Sequence, residues 1–191
     1  MTGTSAGTRY PLADLEEVPD DIRERILAVQ EKSGFVPSVF LVLARRPEEF
    51  RAFFAYHDAL MEGPGTLTKA EREMIVVATS SHNHCLYCVV AHGAILRIRA
   101  KDPLVADQVA VNHRTADLTP RQHAMLDFAL KVTAASHTID DADHEALAAH
   151  GFTAEDAWDI AAIAAFFGLS NRMANVTEMR PNPEFYGMGR G

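Results

Sequence analysis

The 191-residue chain is predicted to be all-α, a single helical bundle. Three observations lead there. Apolar residues recur at helical spacing along most of the chain, and no stretch keeps the two-residue period of a strand for long. Helix-start signals stand just before the apolar runs. A weak internal repeat adds to this: "LTKAEREMIVVA" (67–78) and "LTPRQHAMLDFA" (118–129) share Leu, Thr, Met and Ala at equivalent places, as one helical unit used twice would.

The elements follow in order. Residues 1–20 form a polar N-terminal segment. "PDDIRERILAVQEKSG" sets Ile22, Ile26, Leu27 and Val29 on a helical stripe, with acids in the first turn and Gly34 as the stop. "VPSVFLVLARRP" reads as a short apolar helix ended by Pro47. "PEEFRAFFAYHDALMEGPG" is a helix with Phe50, Phe53, Phe54, His57, Leu60 and Met61 on one side, broken by "GPG". Thr68 and Glu71 make a T-x-x-E capping box, which places a helix start at about Lys69. After the break "SSHNH", a helix is expected from Cys85 to about Pro103. Thr119 and Pro120 are an N-cap and a first helical residue. "DDADHEALAAHG" is a short helix closed by Gly151, and Thr153 caps a long helix through "AEDAWDIAAIAAFFGLSNRMANVT". On this helix Trp158, Phe166 and Phe167 are expected in the core or a subunit contact. Residues 180–191 are a Pro/Gly-rich tail, and its Phe185 and Tyr186 raise the question of whether it covers a neighbour's site.

Composition narrows the function classes. With 48% apolar and 23% charged residues, the balance is that of a soluble globular domain. The formal net charge of −8 and the lack of any Lys/Arg block argue against a nucleic-acid partner. No apolar run approaches the roughly 20 residues of a membrane span. The N-terminal sequence lacks the apolar region of a signal peptide, so a cytoplasmic location is expected. Thiols there are normally reduced.

Chemistry concentrates in "ATSSHNHCLYCVVAHGAI" (78–95), which holds both cysteines and three of the nine histidines. On a helix, Cys88 and His92 are four apart and therefore neighbours, and Cys85 lies on the same stripe one turn earlier. The helix N-terminus and a nearby imidazolium both favour a thiolate, the nucleophilic form of cysteine. Two sulfurs in a C-x-x-C turn are within reach of a disulfide. Glu73, on the preceding helix, has Ala70, Val76, Val77 and Ser80 as same-face neighbours, and a carboxylate in apolar surroundings needs a partner. Across a helical hairpin it would face His92, giving a nucleophile, a base and an orienting group. Zinc is the rival reading: Cys85, Cys88, His92 and His82 or His84 are familiar ligand types. Against it, three ligands within two turns of one helix close a tetrahedron poorly, and no second ligand pair exists. Val89 stands where haem attachment through C-x-x-C-H needs histidine.

The spacing Glu73, Cys85, Cys88, His92, together with "GFVPSVF" and "RPNPEFYGMGR", resembles the alkyl hydroperoxidase D-like proteins of the carboxymuconolactone decarboxylase superfamily, in their peroxidase-related branch. The resemblance implies an all-helical homo-oligomer, a trimer or hexamer. It also implies a thiol peroxidase that needs no haem, flavin or metal cofactor, and a dithiol or protein reductant. It gives Cys88 as the sulfur attacked by peroxide, His92 and Glu73 as the proton relay, and Cys85 as the resolving thiol. The helix N-terminus taken alone favours Cys85. One departure is clear: founding members carry a histidine just before the second cysteine, and this chain has Tyr87. A phenol titrating near 10 does not replace an imidazole at neutral pH. Two further functions compete with the peroxidase: a decarboxylase-like lyase, which needs no dithiol, and a non-enzymatic zinc-binding or redox-sensing module.

Overall fold

The computed structural model describes residues 8–191, so residues 1–7 of the polar N-terminal segment lie outside the described residues. Ten α-helices and two short 3-10 turns are described, and no strand is found among these residues. The helices are α1 (Asp20–Ser33), α2 (Ser38–Leu43), α3 (Pro47–Glu62), α4 (Lys69–His82) and α5 (Leu86–Ala100). They continue with α6 (Val105–Asn112), α7 (Pro120–Ala135), α8 (Asp141–Ala148), α9 (Ala154–Val176) and α10 (Glu184–Gly187).

Local chemistry sets most boundaries. Gly34 ends α1 in the left-handed conformation (φ 83°) and its N–H returns to the Gln30 carbonyl. The reciprocal Thr68/Glu71 cap opens α4, and Thr119/Gln122 does the same for α7, so both copies of the repeated segment start alike. Thr153/Asp156 opens α9. Two expected boundaries differ. Pro47 does not end α2, which stops at Leu43; it is the first residue of α3, where a missing N–H costs nothing. The helix after Cys85 stops at Ala100 rather than near Pro103, because Lys101 turns left-handed and its N–H caps the Arg97 carbonyl.

α4 is the central rod. Every residue from Glu71 to Ser80 is buried, and the helix packs against α5, α6, α7 and α9. Ile75, Val76 and Val77 meet Leu96 of α5, Leu126 of α7 and Ile163 of α9 in the main core. The polar residues of so enclosed a helix need partners. Arg72 donates to the Leu60 and Leu67 carbonyls, and Glu71 pairs with Arg121. A second cluster surrounds both cysteines and includes Phe35, Ala174, Met179 and Phe185.

Phe185 is buried edge-on against Phe35 at 4.9 Å, so the tail lies on its own chain, clamped to α5 by Arg97. Phe166 and Phe167 are core residues, whereas Trp158 is 72% exposed. No helix among the described residues is long and apolar enough to cross a membrane.

Candidate active site

The site lies at the closed end of the α4–α5 hairpin, roofed by α9. Between the helices the chain reverses in three residues. His84 is left-handed (φ 53°), and the Cys85 N–H returns to the Ser80 carbonyl at 2.9 Å. This turn makes Cys85 the N-cap of α5 and puts Cys88 in its first turn. Both are free thiols, 1% and 2% exposed.

One turn further along α5, His92 Nδ1 meets Glu73 Oε2 of α4 at 2.8 Å. Glu73 is 7% exposed, and the His92 side chain is largely enclosed. The hairpin therefore brings Glu73 and His92 together, as expected from the sequence, beside the two sulfurs on α5. With Nδ1 occupied by the carboxylate, Nε2 is the ring nitrogen left to exchange a proton.

α9 supplies three residues that reasoning along the sequence did not single out for the site. Phe167 sets its ring edge-on to His92, with centroids 4.8 Å apart. Ser170 Oγ is 3.9 Å from Cys88 Sγ. Asn171, fully buried, donates to Ser80 Oγ at 2.9 Å and accepts from Asn83 Nδ2 at 3.0 Å, which ties α9 to the hairpin turn. Only tertiary packing joins these residues to a motif some 80 positions upstream.

The two thiols differ in character. The neighbouring Cys88 side chain draws the Cys85 thiol down to about 7, burial opposes this, and the Cys88 backbone N–H, Asn171 and the charge of His92 lower it further. Cys88 is pushed up, first by the Cys85 sulfur beside it and then by burial. Cys85, at the positive end of α5, is thus the thiol drawn toward the thiolate, and Cys88 the one kept protonated.

Tyr87 has a different task. Its phenol oxygen accepts the Val39 N–H at 3.2 Å, burial raises its pKa, and it fastens α2 to α5. A second imidazole comes instead from α3. Burial lowers the pKa of His57 against the opposing pull of Asp58, and the charge of His92 lowers it further. Its Nδ1 is 3.1 Å from Asp58 Oδ1, and Asp58 accepts twice from Arg25 Nη2. In the sequence His57 is only one member of an apolar stripe.

His82 and His84 are exposed. Among the described residues, no three His, Cys, Asp or Glu side chains stand close enough to hold a metal ion, so the four-ligand zinc set is not assembled. A crevice of about 10 Å³ opens beside Ser170 and Tyr87, walled by Val39, Leu43, Phe53 and Met173. That is about the room of one water. A cavity of about 1000 Å³ between α7 and α8 is lined by none of the site residues.

Residues 47–131 match the model of the carboxymuconolactone decarboxylase family. No curated protein matches the chain. Among solved structures, the chain is 73% identical to a peroxidase-related protein of Ralstonia eutropha JMP134, described as an alkylhydroperoxidase AhpD core. That match covers 96% of this chain and 97% of the other, with a TM-score of 0.95. A peroxidase-related protein of Silicibacter sp. TM1040 is 44% identical over the full length of both chains, with a TM-score of 0.92. The debrominase Bmp8, in complex with 2,3,4-tribromopyrrole, shares the fold at 20% identity and a TM-score of 0.73, over 96% of this chain and 95% of its own. Identity of this extent to an AhpD core, with the family match across α3 to α7, shows that the chain belongs to the alkyl hydroperoxidase D-like proteins of the carboxymuconolactone decarboxylase superfamily.

Proposed function

We propose that the protein is a thiol-dependent peroxidase that reduces hydrogen peroxide or small organic hydroperoxides through Cys85 and Cys88. The reading is carried by one observation above the rest: a buried carboxylate–imidazole pair, Glu73–His92 at 2.8 Å, beside a buried, reduced C-x-x-C pair.

In this reading Cys85 ionises and His92 takes the proton. The Cys85 thiolate attacks one peroxide oxygen and the O–O bond breaks. The departing alkoxide or hydroxide recovers the proton from His92, leaving a sulfenic acid on Cys85. The Cys88 sulfur then attacks the Cys85 sulfur. The S–S bond forms, hydroxide leaves, and it takes the Cys88 proton to become water. Two thiols and a peroxide have become a disulfide, an alcohol or water, and water. An external dithiol, small or protein-borne, returns two electrons and two protons. The resemblance alone implies Cys88 as the first nucleophile; the place of Cys85 at the N-cap of α5, with its lowered pKa, favours Cys85 in that role, with Cys88 as the resolving thiol. Glu73 orients His92 through its contact with Nδ1, as a third group does in other nucleophile–base pairs.

We further propose that the chain works as a homo-oligomer. Trp158, Leu169, Met173 and Val176 are exposed along α9, an apolar face that a second copy would cover.

The test is peroxide consumption with a dithiol reductant. Turnover is expected in the wild-type protein, lost in Cys85→Ser and Cys88→Ser and much reduced in His92→Ala. Full turnover in these variants overturns the reading. If the family's decarboxylase chemistry operates instead, lactone turnover will survive replacement of both cysteines.

A further inference from the structure

On the side of α5 away from α4, the helix forms a cavity of about 160 Å³ with α6 and the C-terminal segment. Its lining includes Gly93 and Arg97, one turn apart on α5, with Asp107 of α6 and Arg190 of the tail. Arg97 is 4% exposed. Its Nε donates to the Met188 carbonyl at 2.9 Å and its Nη2 to the Phe185 carbonyl at 3.0 Å. Among the described residues Nη1 has no hydrogen-bond partner, and no carboxylate is in ion-pair contact with Arg97. Asp107, the carboxylate of the cavity, is taken by Arg190 at 2.8 and 2.9 Å.

Two guanidinium groups, buried Arg97 and half-exposed Arg190, thus face one half-exposed carboxylate, leaving a net positive charge of one at the cavity in a chain of net charge −8. A buried charge without a counter-ion is costly. A lysine could escape by losing its proton; an arginine in a protein does not. Carbonyl oxygens satisfy two of the Arg97 nitrogens without supplying a negative charge. Nη1 lies against Gly93, whose missing side chain leaves space: a Cβ there would be 3.6 Å from Nη1 and 3.6 Å from Ala106 Cβ. The cavity has room for several water molecules, which is room for an anion of a few heavy atoms.

We propose that this cavity binds one small oxyanion, a phosphate or a short monocarboxylate, against Arg97 Nη1 with Arg190 as the second cation. Guanidinium groups match such oxygens in charge and geometry. The site is separate from the dithiol and does not depend on its chemistry.

Calorimetric titration of the intact protein with sodium phosphate, and separately with sodium acetate, at constant ionic strength tests this. Saturable binding at one site per chain is expected for at least one of the two, and the preferred anion assigns the class. Arg97→Gln should weaken that binding about tenfold or more, as loss of a charged hydrogen-bond donor does. Because Arg97 also clamps the tail, Gly93→Ala is the second variant. Its methyl group fits at ordinary contact distances, alanine is the better helix former, and binding should again weaken about tenfold as the space beside Nη1 fills. Replacing both cysteines by serine should leave the affinity unchanged. No saturable binding of either anion by the wild-type protein overturns the proposal, and so does wild-type affinity in Gly93→Ala.

Discussion

Replacing Cys88 by alanine removes the group that does most to hold the Cys85 thiol at about 7. If Cys85 returns to the ordinary value of 9.0, the consequences can be worked out. At pH 7 the wild-type thiol is about half ionised and the variant thiol about one per cent, roughly a fiftyfold loss of thiolate. A more basic thiolate is also a better nucleophile, and with a Brønsted slope of 0.4–0.5 a rise of two units gains roughly six- to tenfold. The first oxidation by peroxide should therefore be about five- to eightfold slower than wild type near pH 7. Above both pKa values it should be roughly six- to tenfold faster, so the two profiles cross near pH 8. The ultraviolet absorbance of the thiolate gives the midpoints, and single-turnover sulfenic acid formation gives the rates. A midpoint near 7 in the variant, or no ionisation below about 8 in the wild type, would refute the assignment of the charge to Cys85.

Three further perturbations follow from the same geometry. Glu73→Gln keeps the shape of the α4–α5 contact but removes the carboxylate facing His92, and should cut turnover about a hundredfold with an unchanged circular dichroism spectrum. Wild-type turnover in that variant would remove Glu73 from the relay. Tyr87→Phe deprives the Val39 N–H of its acceptor, which should lower stability to urea by about 1 kcal/mol while the pH profile of turnover stays put. A displaced profile would instead place the phenol in the relay. Asn171→Ala leaves Ser80 and Asn83 without their partner and should cost about 1–3 kcal/mol. The thiolate midpoint of Cys85 should rise with it, since Asn171 helps to lower it.

What could be read from the sequence follows the range of the interactions involved. Caps are local, so Thr68, Thr119 and Thr153 marked three helix starts correctly. Cys85, Cys88 and His92 lie within two turns of one helix, and the short link to α4 made the approach of Glu73 foreseeable. The helix α6 escaped notice because it is short and has no side-chain cap at its start, Leu104, whereas α8, equally short, is opened by the Asp140 capping box. The tail read only as Pro/Gly-rich because its hold is the Arg97 guanidinium on two carbonyls, a contact of side chain with remote backbone that leaves no pattern. Ser170, Asn171, Phe167 and His57 reach the site from α9 and α3, and nothing in their local sequence distinguishes them from core residues. Trp158 kept the helical spacing of a core position and faces outward on its own chain, which leaves the subunit contact of the two expectations.

The most direct measurement counts free thiols before and after one equivalent of hydrogen peroxide, with peptide mapping of the product. A dithiol cycle predicts that two thiols vanish together and that the peptides of Cys85 and Cys88 emerge joined within one chain. Two intact thiols after the peroxide has been given time to react would contradict it, and so would oxidation that stops at a single sulfur while the other stays reduced.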